Sequence, residues 1–180
     1  MFDADEYLHL AMHASSVGNH HACMMYLKEL LQQQPEHAVA IYLLALEHAK
    51  LGLLERAVSG LRASLAIRPE LEIARFQLGM LLLDRNQPVE AKAQFAALSG
   101  CRDPGLRAFC QAMCALADDQ PEMAREKLVL GLSQPVADPA LSAAMKRLFD
   151  KLAKVQPASA NEPETPGEAF LLGAYRNTLL

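Results

Sequence analysis

Apolar and small residues recur at three- and four-residue spacing through most of the chain, with polar residues filling the intervals, which is the signature of successive amphipathic helices. Near the end of this pattern Leu141, Met145, Leu148, Phe149 and Leu152 share one stripe, while Lys146, Arg147 and Lys151 face elsewhere. Helix starts are marked as well. Asp103-Pro104 and Asp138-Pro139 each offer an N-cap followed by a proline at the first helical position. Pro88 and Pro121 suit the first turns of two further helices. The expectation is an all-α chain.

The helical pattern repeats. Pro35 and Pro69 stand 34 residues apart, each closing an amphipathic stretch, and Asp103-Pro104 follows about one period later. Tyr7, Leu10, Ala11 and Gly18 correspond to Ile41, Leu44, Ala45 and Gly52, and the next period supplies Leu78-Gly79. Later in each unit come Cys23 and Leu27, then Ala57 and Leu61, then Ala91 and Phe95. Small residues at these places let neighbouring helices approach, and large ones fill the remaining space. Period, small residues and closing proline together resemble the tetratricopeptide repeat, a helix–turn–helix of 34 residues whose pattern is W-x2-L-G-x2-Y, then A-x3-F, then P. The implied fold is a right-handed α-solenoid of helix–turn–helix units, here at about 4–37, 38–71, 72–104 and 105–136. The fourth needs a one-residue slip in its turn. A capping helix is expected at 138–155, closing a repeat domain over 1–155.

In that family one face of the first helices lines a groove that holds peptides or helices. The resemblance places on this face Leu8 and Met12, then Val39, Tyr42 and Leu46, then Ile73, Phe76, Met80 and Leu83. Cys110 and Cys114 follow if the fourth unit keeps register. Nearly all are apolar, unlike the Lys, Arg and Asn with which some members clamp the acidic ends of heat-shock chaperones, and about half are expected to be core between repeats instead. Tyr42 and Phe76 are the expected anchors, with Met12 and Met80 as adaptable packing. The implied partner is another protein that presents an apolar peptide or helix.

Residues 156–167 (Gln-Pro-Ala-Ser-Ala-Asn-Glu-Pro-Glu-Thr-Pro-Gly) are a linker by composition. Residues 168–180 turn apolar again, and Phe170, Leu171, Leu172 and Tyr175 suit a short docking helix, on the chain's own surface, in self-association or on another protein.

Composition narrows the function classes. With 180 residues, 52% hydrophobic and 21% charged, the chain is globular rather than disordered in composition. A net charge of −4, with Lys and Arg interleaved among acids, supplies no field for nucleic acid. No run approaches the roughly 18 apolar residues of a membrane span. The start, Met1-Phe2-Asp3-Ala4-Asp5-Glu6, is acidic where a secretory leader is basic and then apolar, so the cytoplasm is the expected location. The four cysteines contain no C-x-x-C and read as reduced thiols.

All six histidines lie in the first 48 residues. His9 and His13 share a helix face, the spacing at which two histidines hold a metal, with His20 and His21 in the following turn. No glutamate completes H-E-x-x-H and no cysteine has ligand spacing with them, so they read as surface histidines and no metal or other cofactor is expected. No phosphate-binding, dinucleotide-binding or nucleophile-elbow glycine motif occurs, and no nucleophile is paired with a base; an enzyme is not expected. The functional expectation is a protein–protein adaptor or scaffold. A secretion or assembly chaperone for a hydrophobic client is the alternative, since three-repeat bacterial secretion chaperones are similar in size and architecture. A histidine-based metal-responsive protein is the third reading.

Overall fold

The computed structural model of the chain describes residues 2–134 and 139–154. Asp138, Val155, the linker 156–167 and the apolar segment 168–180, with Phe170, Leu171, Leu172 and Tyr175, lie outside the described residues. Within them the chain is helical: α1 (Ala4–Ser16), α2 (His20–Gln33), α3 (Ala38–Lys50), α4 (Leu54–Ile67), α5 (Glu72–Asp84), α6 (Pro88–Ala96), α7 (Pro104–Ala117), α8 (Pro121–Leu132) and α9 (Pro139–Lys154). No described helix is long and apolar enough to cross a membrane.

The short turns between paired helices share one construction. Gly18 and Gly52 adopt φ of 73° and 74°, and at the corresponding places Asn86 and Asp119 adopt 55°. In each turn the next amide reaches back five residues to a helix carbonyl: Asn19 to Ala14, Leu53 to His48, Gln87 to Leu82 and Gln120 to Ala115. This is the left-handed C-terminal cap, which glycine adopts without strain and Asn or Asp tolerates. The fourth such residue comes 33 positions after the third rather than 34, which is the slip the sequence requires.

Helix starts follow the local chemistry. Asp3 and Glu6 form a reciprocal capping box at α1. Asn19 caps α2, His37 Nδ1 accepts from the Ala40 amide at α3, and Asp103 accepts from Gly105 and Leu106 at α7. The starts of α6 and α8 have no side-chain cap; each instead carries a proline in its first turn, where no amide proton is needed.

The chain divides into two compact units, one ending at Leu78 and the other beginning at Gly79, so that α5 contributes to both. In the first, α1 packs on α2, α2 on α3 and α3 on α4. Ala4, Ala11, Ala14, Cys23, Leu27, Leu30 and Ala40 form its leading core. The second hairpin closes tightly because both facing residues are small: a Cβ on Gly60 would stand 2.8 Å from the Ala45 Cβ. Ser64 Oγ donates to the Ala38 carbonyl at 2.8 Å, satisfying a buried hydroxyl.

In the second unit α6 packs on α7, α7 on α8, and α9 on both α8 and α7. The Phe95 ring lies against Gly79, at a distance from which a Cβ is excluded. Gly131 admits the Met145 sulfur of α9 in the same way. Met145, Leu148 and Leu152 are buried, whereas Lys146 and Asp150 are exposed. One stripe of α9 therefore joins the core and its other side faces water.

Candidate partner-binding face

The predicted face residues have three different environments. On α1, Met12 is 55% exposed and Leu8 is half-buried, packed against the leading core. On α3, Val39, Tyr42 and Leu46 are half-buried, and on α5 Ile73 is exposed. Phe76 and Met80, expected as an anchor and its packing partner, are each only 4% exposed, and Leu83 is half-buried. The seven residues Phe76–Leu82 are all buried, so α5 is enclosed around its circumference. Phe76 and Met80 thus belong to the packed interior and not to an open strip. Cys110, placed on the face only if the fourth unit keeps register and otherwise read as a small apolar core residue, is fully buried, and Cys114 is half-buried with its thiol near the Lys92 carbonyl.

Of the predicted face residues in the first unit, Leu8 and Met12 on α1, Val39, Tyr42 and Leu46 on α3 and Ile73 on α5 remain at least partly accessible. Leu8 and Met12, like Tyr42 and Leu46, stand one helical turn apart.

α1 and α3 are joined by a buried polar junction that sequence reading missed. Glu47 is 1% exposed, immediately after Leu46. Ser15 Oγ donates to its Oε1 at 2.7 Å, Lys50 Nζ donates to the same oxygen at 2.9 Å, and His20 Nδ1 meets Oε2 at 2.7 Å. Lys50 also donates to Ser15 Oγ at 3.0 Å. Burial alone raises a carboxyl pKa; here the hydrogen bonds from Lys50, Ser15 and His20 outweigh it and hold Glu47 below the usual range. The adjacent Cys23 thiol is pushed up to about 11, chiefly by burial and then by the Glu47 charge. It is a protonated, unreactive sulfur near neutral pH.

This cluster acts as a clamp: Ser15 bonds to Glu47 and Lys50, while His20 bonds to the far oxygen of Glu47. His20, read from sequence as a surface histidine, is drawn toward the carboxylate, as is Lys50. The available signal was a glutamate inside the apolar run Leu43–Ala49, with a lysine three residues on.

His9 and His13 are exposed on α1, and the His9 ring bonds to the Asp5 carbonyl at 2.8 Å. Among the described residues no three His, Cys, Asp or Glu side chains are grouped to hold a metal.

Helix hairpins with left-handed turns and small residues at the crossings define a helical-repeat protein. The solved structures agree. The chain is similar to MamA 41-end from Desulfovibrio magneticus RS-1, with 20% identity, a TM-score of 0.62, and coverage of 84% of this chain and 89% of that one. It is similar to PilW, described as a widely conserved type IV pilus biogenesis factor, with 18% identity, a TM-score of 0.64, and coverage of 85% and 79%. It is also similar to TTC0263, a thermophilic TPR protein of Thermus thermophilus, with 17% identity, a TM-score of 0.52, and coverage of 84% and 100%. No family model and no curated protein matches the sequence. The chain has the tetratricopeptide-repeat fold, of the all-helical α-solenoid class.

Proposed function

We propose that this chain is a protein–protein interaction module that holds an apolar peptide or amphipathic helix on the α1/α3 face. The observation that carries the reading is Met12: a long apolar side chain left 55% exposed on α1, one helical turn after the apolar Leu8. Leu8, Tyr42 and Leu46 surround that position in the repeat pattern, and Val39 extends it along α3. The absence of acidic and basic side chains at these four central positions disfavours an acidic peptide and suits anchors spaced every three or four residues. Methionine adds adaptability, because its unbranched thioether repacks around differently shaped ligands.

The test is a peptide array carrying amphipathic helical sequences beside acidic hydrophilic ones, probed with the protein and with a Met12→Glu/Leu46→Glu variant whose fold is checked by circular dichroism. Retention of the apolar helices, weakened about tenfold or more in the folded variant, is the expected result. Equal binding by both proteins would remove this face from the function.

A second reading has one observation in its favour: the fold is shared with PilW, a biogenesis factor by its description. As an assembly chaperone the chain would keep a hydrophobic client soluble. The client would then aggregate on its own and stay dispersed when the two are produced together, whereas an adaptor's partners remain soluble alone.

A further inference from the structure

The second unit carries an open cleft at its last hairpin position. Glu122, Arg125, Glu126 and Val129 of α8, together with Phe149 of α9, line a cavity of about 460 Å³. The Arg125 guanidinium stands 5.8 Å from the Phe149 ring centroid, as its partial cover. Val129 is 53% exposed, and Leu130 and Met123 beside it are exposed as well. Residues 122, 125, 126 and 129 form one continuous face of α8.

Internal symmetry indicates what belongs there. His20 and Pro121 begin α2 and α8, and Ala38 and Pro139 begin α3 and α9; both pairs are separated by the same 101 positions. Under this correspondence Lys28 matches Val129, and His48 matches Phe149. In the first unit these places are attended by a further helix: Arg56 of α4 lines one cleft with His48, and its charge and that of Lys28 both act on the His48 ring. At the end of the second unit the counterpart of α4 would occupy residues 155–168. Pro157, Pro163 and Pro166 fall in that stretch, and the latter two would break a helix in its interior.

The next stretch free of proline is 168–180. In a helix, the spacing of this segment would put Leu171, Leu172, Tyr175 and Leu179 on one face, opposite Asn177. The linker 156–167 spans about 20 Å as a coil and up to about 37 Å extended. The 16 residues of α9 measure about 24 Å, so the linker is long enough to return along the whole helix.

We propose that residues 168–180 form the missing second helix of the last hairpin, docking in cis on the α8/α9 cleft with Leu171, Leu172 and Tyr175 against Val129 and Phe149. The apolar residues of the segment and those of the cleft then cover one another, and the proline-rich stretch serves as an extended turn. This docking site lies apart from the α1/α3 face and does not depend on its role.

The test uses the full chain. Val129→Cys is combined in turn with Leu171→Cys, Leu172→Cys and Tyr175→Cys, and each variant is treated with a short bifunctional thiol reagent. Val89→Cys, at an 83% exposed position of the same unit, replaces Val129→Cys as the control. Intramolecular cross-links from Val129, about tenfold above the control pairs and the variants carrying one added cysteine beside the four native ones, are expected. Cross-links only between chains would assign the cleft to a second copy and overturn the proposal; yields no higher than the controls would overturn it too. Hydrogen exchange of the α8 amides gives an independent reading in case the cysteine variants fold poorly. A Leu171→Glu/Leu172→Glu/Tyr175→Glu variant should speed that exchange about tenfold while leaving α1–α4 unchanged. Unchanged α8 exchange would also overturn the proposal.

Discussion

Ser15 Oγ donates a 2.7 Å hydrogen bond to Glu47 Oε1 and so ties the end of α1 to the last turns of α3, 32 residues later. The carboxylate also holds Lys50 and His20, which makes it the shared acceptor for groups from three helices. Both helices of the proposed binding face are positioned by this contact.

Glu47→Ala should therefore cost about 3 kcal/mol of stability, since it leaves Lys50 and Ser15 in a nearly dry site without their acceptor. Urea unfolding followed by circular dichroism measures this. Glu47→Gln, which keeps one acceptor oxygen, should cost less.

The same carboxylate gives the fold an acid sensitivity. Its pKa is lowered from the ordinary 4.5, so its stabilisation is complete above that value and is lost as pH falls through the folded-state pKa. Urea midpoints measured from pH 7 down to pH 3 should show a decline in the wild type that is reduced in Glu47→Gln. Parallel declines would place the acid sensitivity elsewhere.

The turns make a cleaner backbone experiment. Gly52 has φ of 74°, and a Cβ added there meets no atom within 4 Å. Gly52→Ala isolates the conformational strain from any clash and should destabilise by about 1 kcal/mol. Gly52→Asn should cost less, because Asn86 already adopts the left-handed conformation at the corresponding turn. Equal losses for both variants would count against this account.

At Gly79 the limit is space. A Cβ would come within 2.6 Å of the Phe95 ring, so Gly79→Ala should cost about 1–3 kcal/mol through overpacking. A smaller neighbour should recover part of that loss: Gly79→Ala/Phe95→Leu should be less destabilised than the sum of its single variants, as measured by a double-mutant cycle.

These two glycines show what was legible in the sequence. Gly79 and Phe95 stand out because a repeat pattern reports contacts between helices, and Gly18 and Gly52 because a left-handed cap selects its residue. The prolines at 88, 104 and 121 marked helix starts for a similarly local reason. Burial by the surrounding chain is not local, and there the reading failed. Phe76 and Met80 have the same spacing as Tyr42 and Leu46, and periodicity cannot distinguish an enclosed face from an open one. Glu47 was missed because a single acid in an apolar run becomes informative only once Ser15, His20 and Lys50 converge on it from other positions.

Asp84, at the end of α5, presents the opposite electrostatic case. Its Oδ1 is buried without a hydrogen-bond partner, as is Gln87 Oε1 in the turn that follows. Burial pushes the Asp84 carboxyl up to about 6 from 3.8. The folded state therefore disfavours the charged form: the penalty is absent below about pH 4, grows between the two values, and is complete above about pH 6. It amounts to at most about 3 kcal/mol. Asp84→Asn removes the charge while retaining the shape, and should stabilise the protein by about 1–2 kcal/mol at pH 8, since the amide must still satisfy its own polar atoms. The gain should shrink as pH falls below 6 and vanish near pH 4. Urea midpoints for both proteins at pH 8, 6 and 4 give the comparison. An Asn variant that is less stable at pH 8 would mean that the carboxylate is stabilised in solution by a group that Asn does not replace.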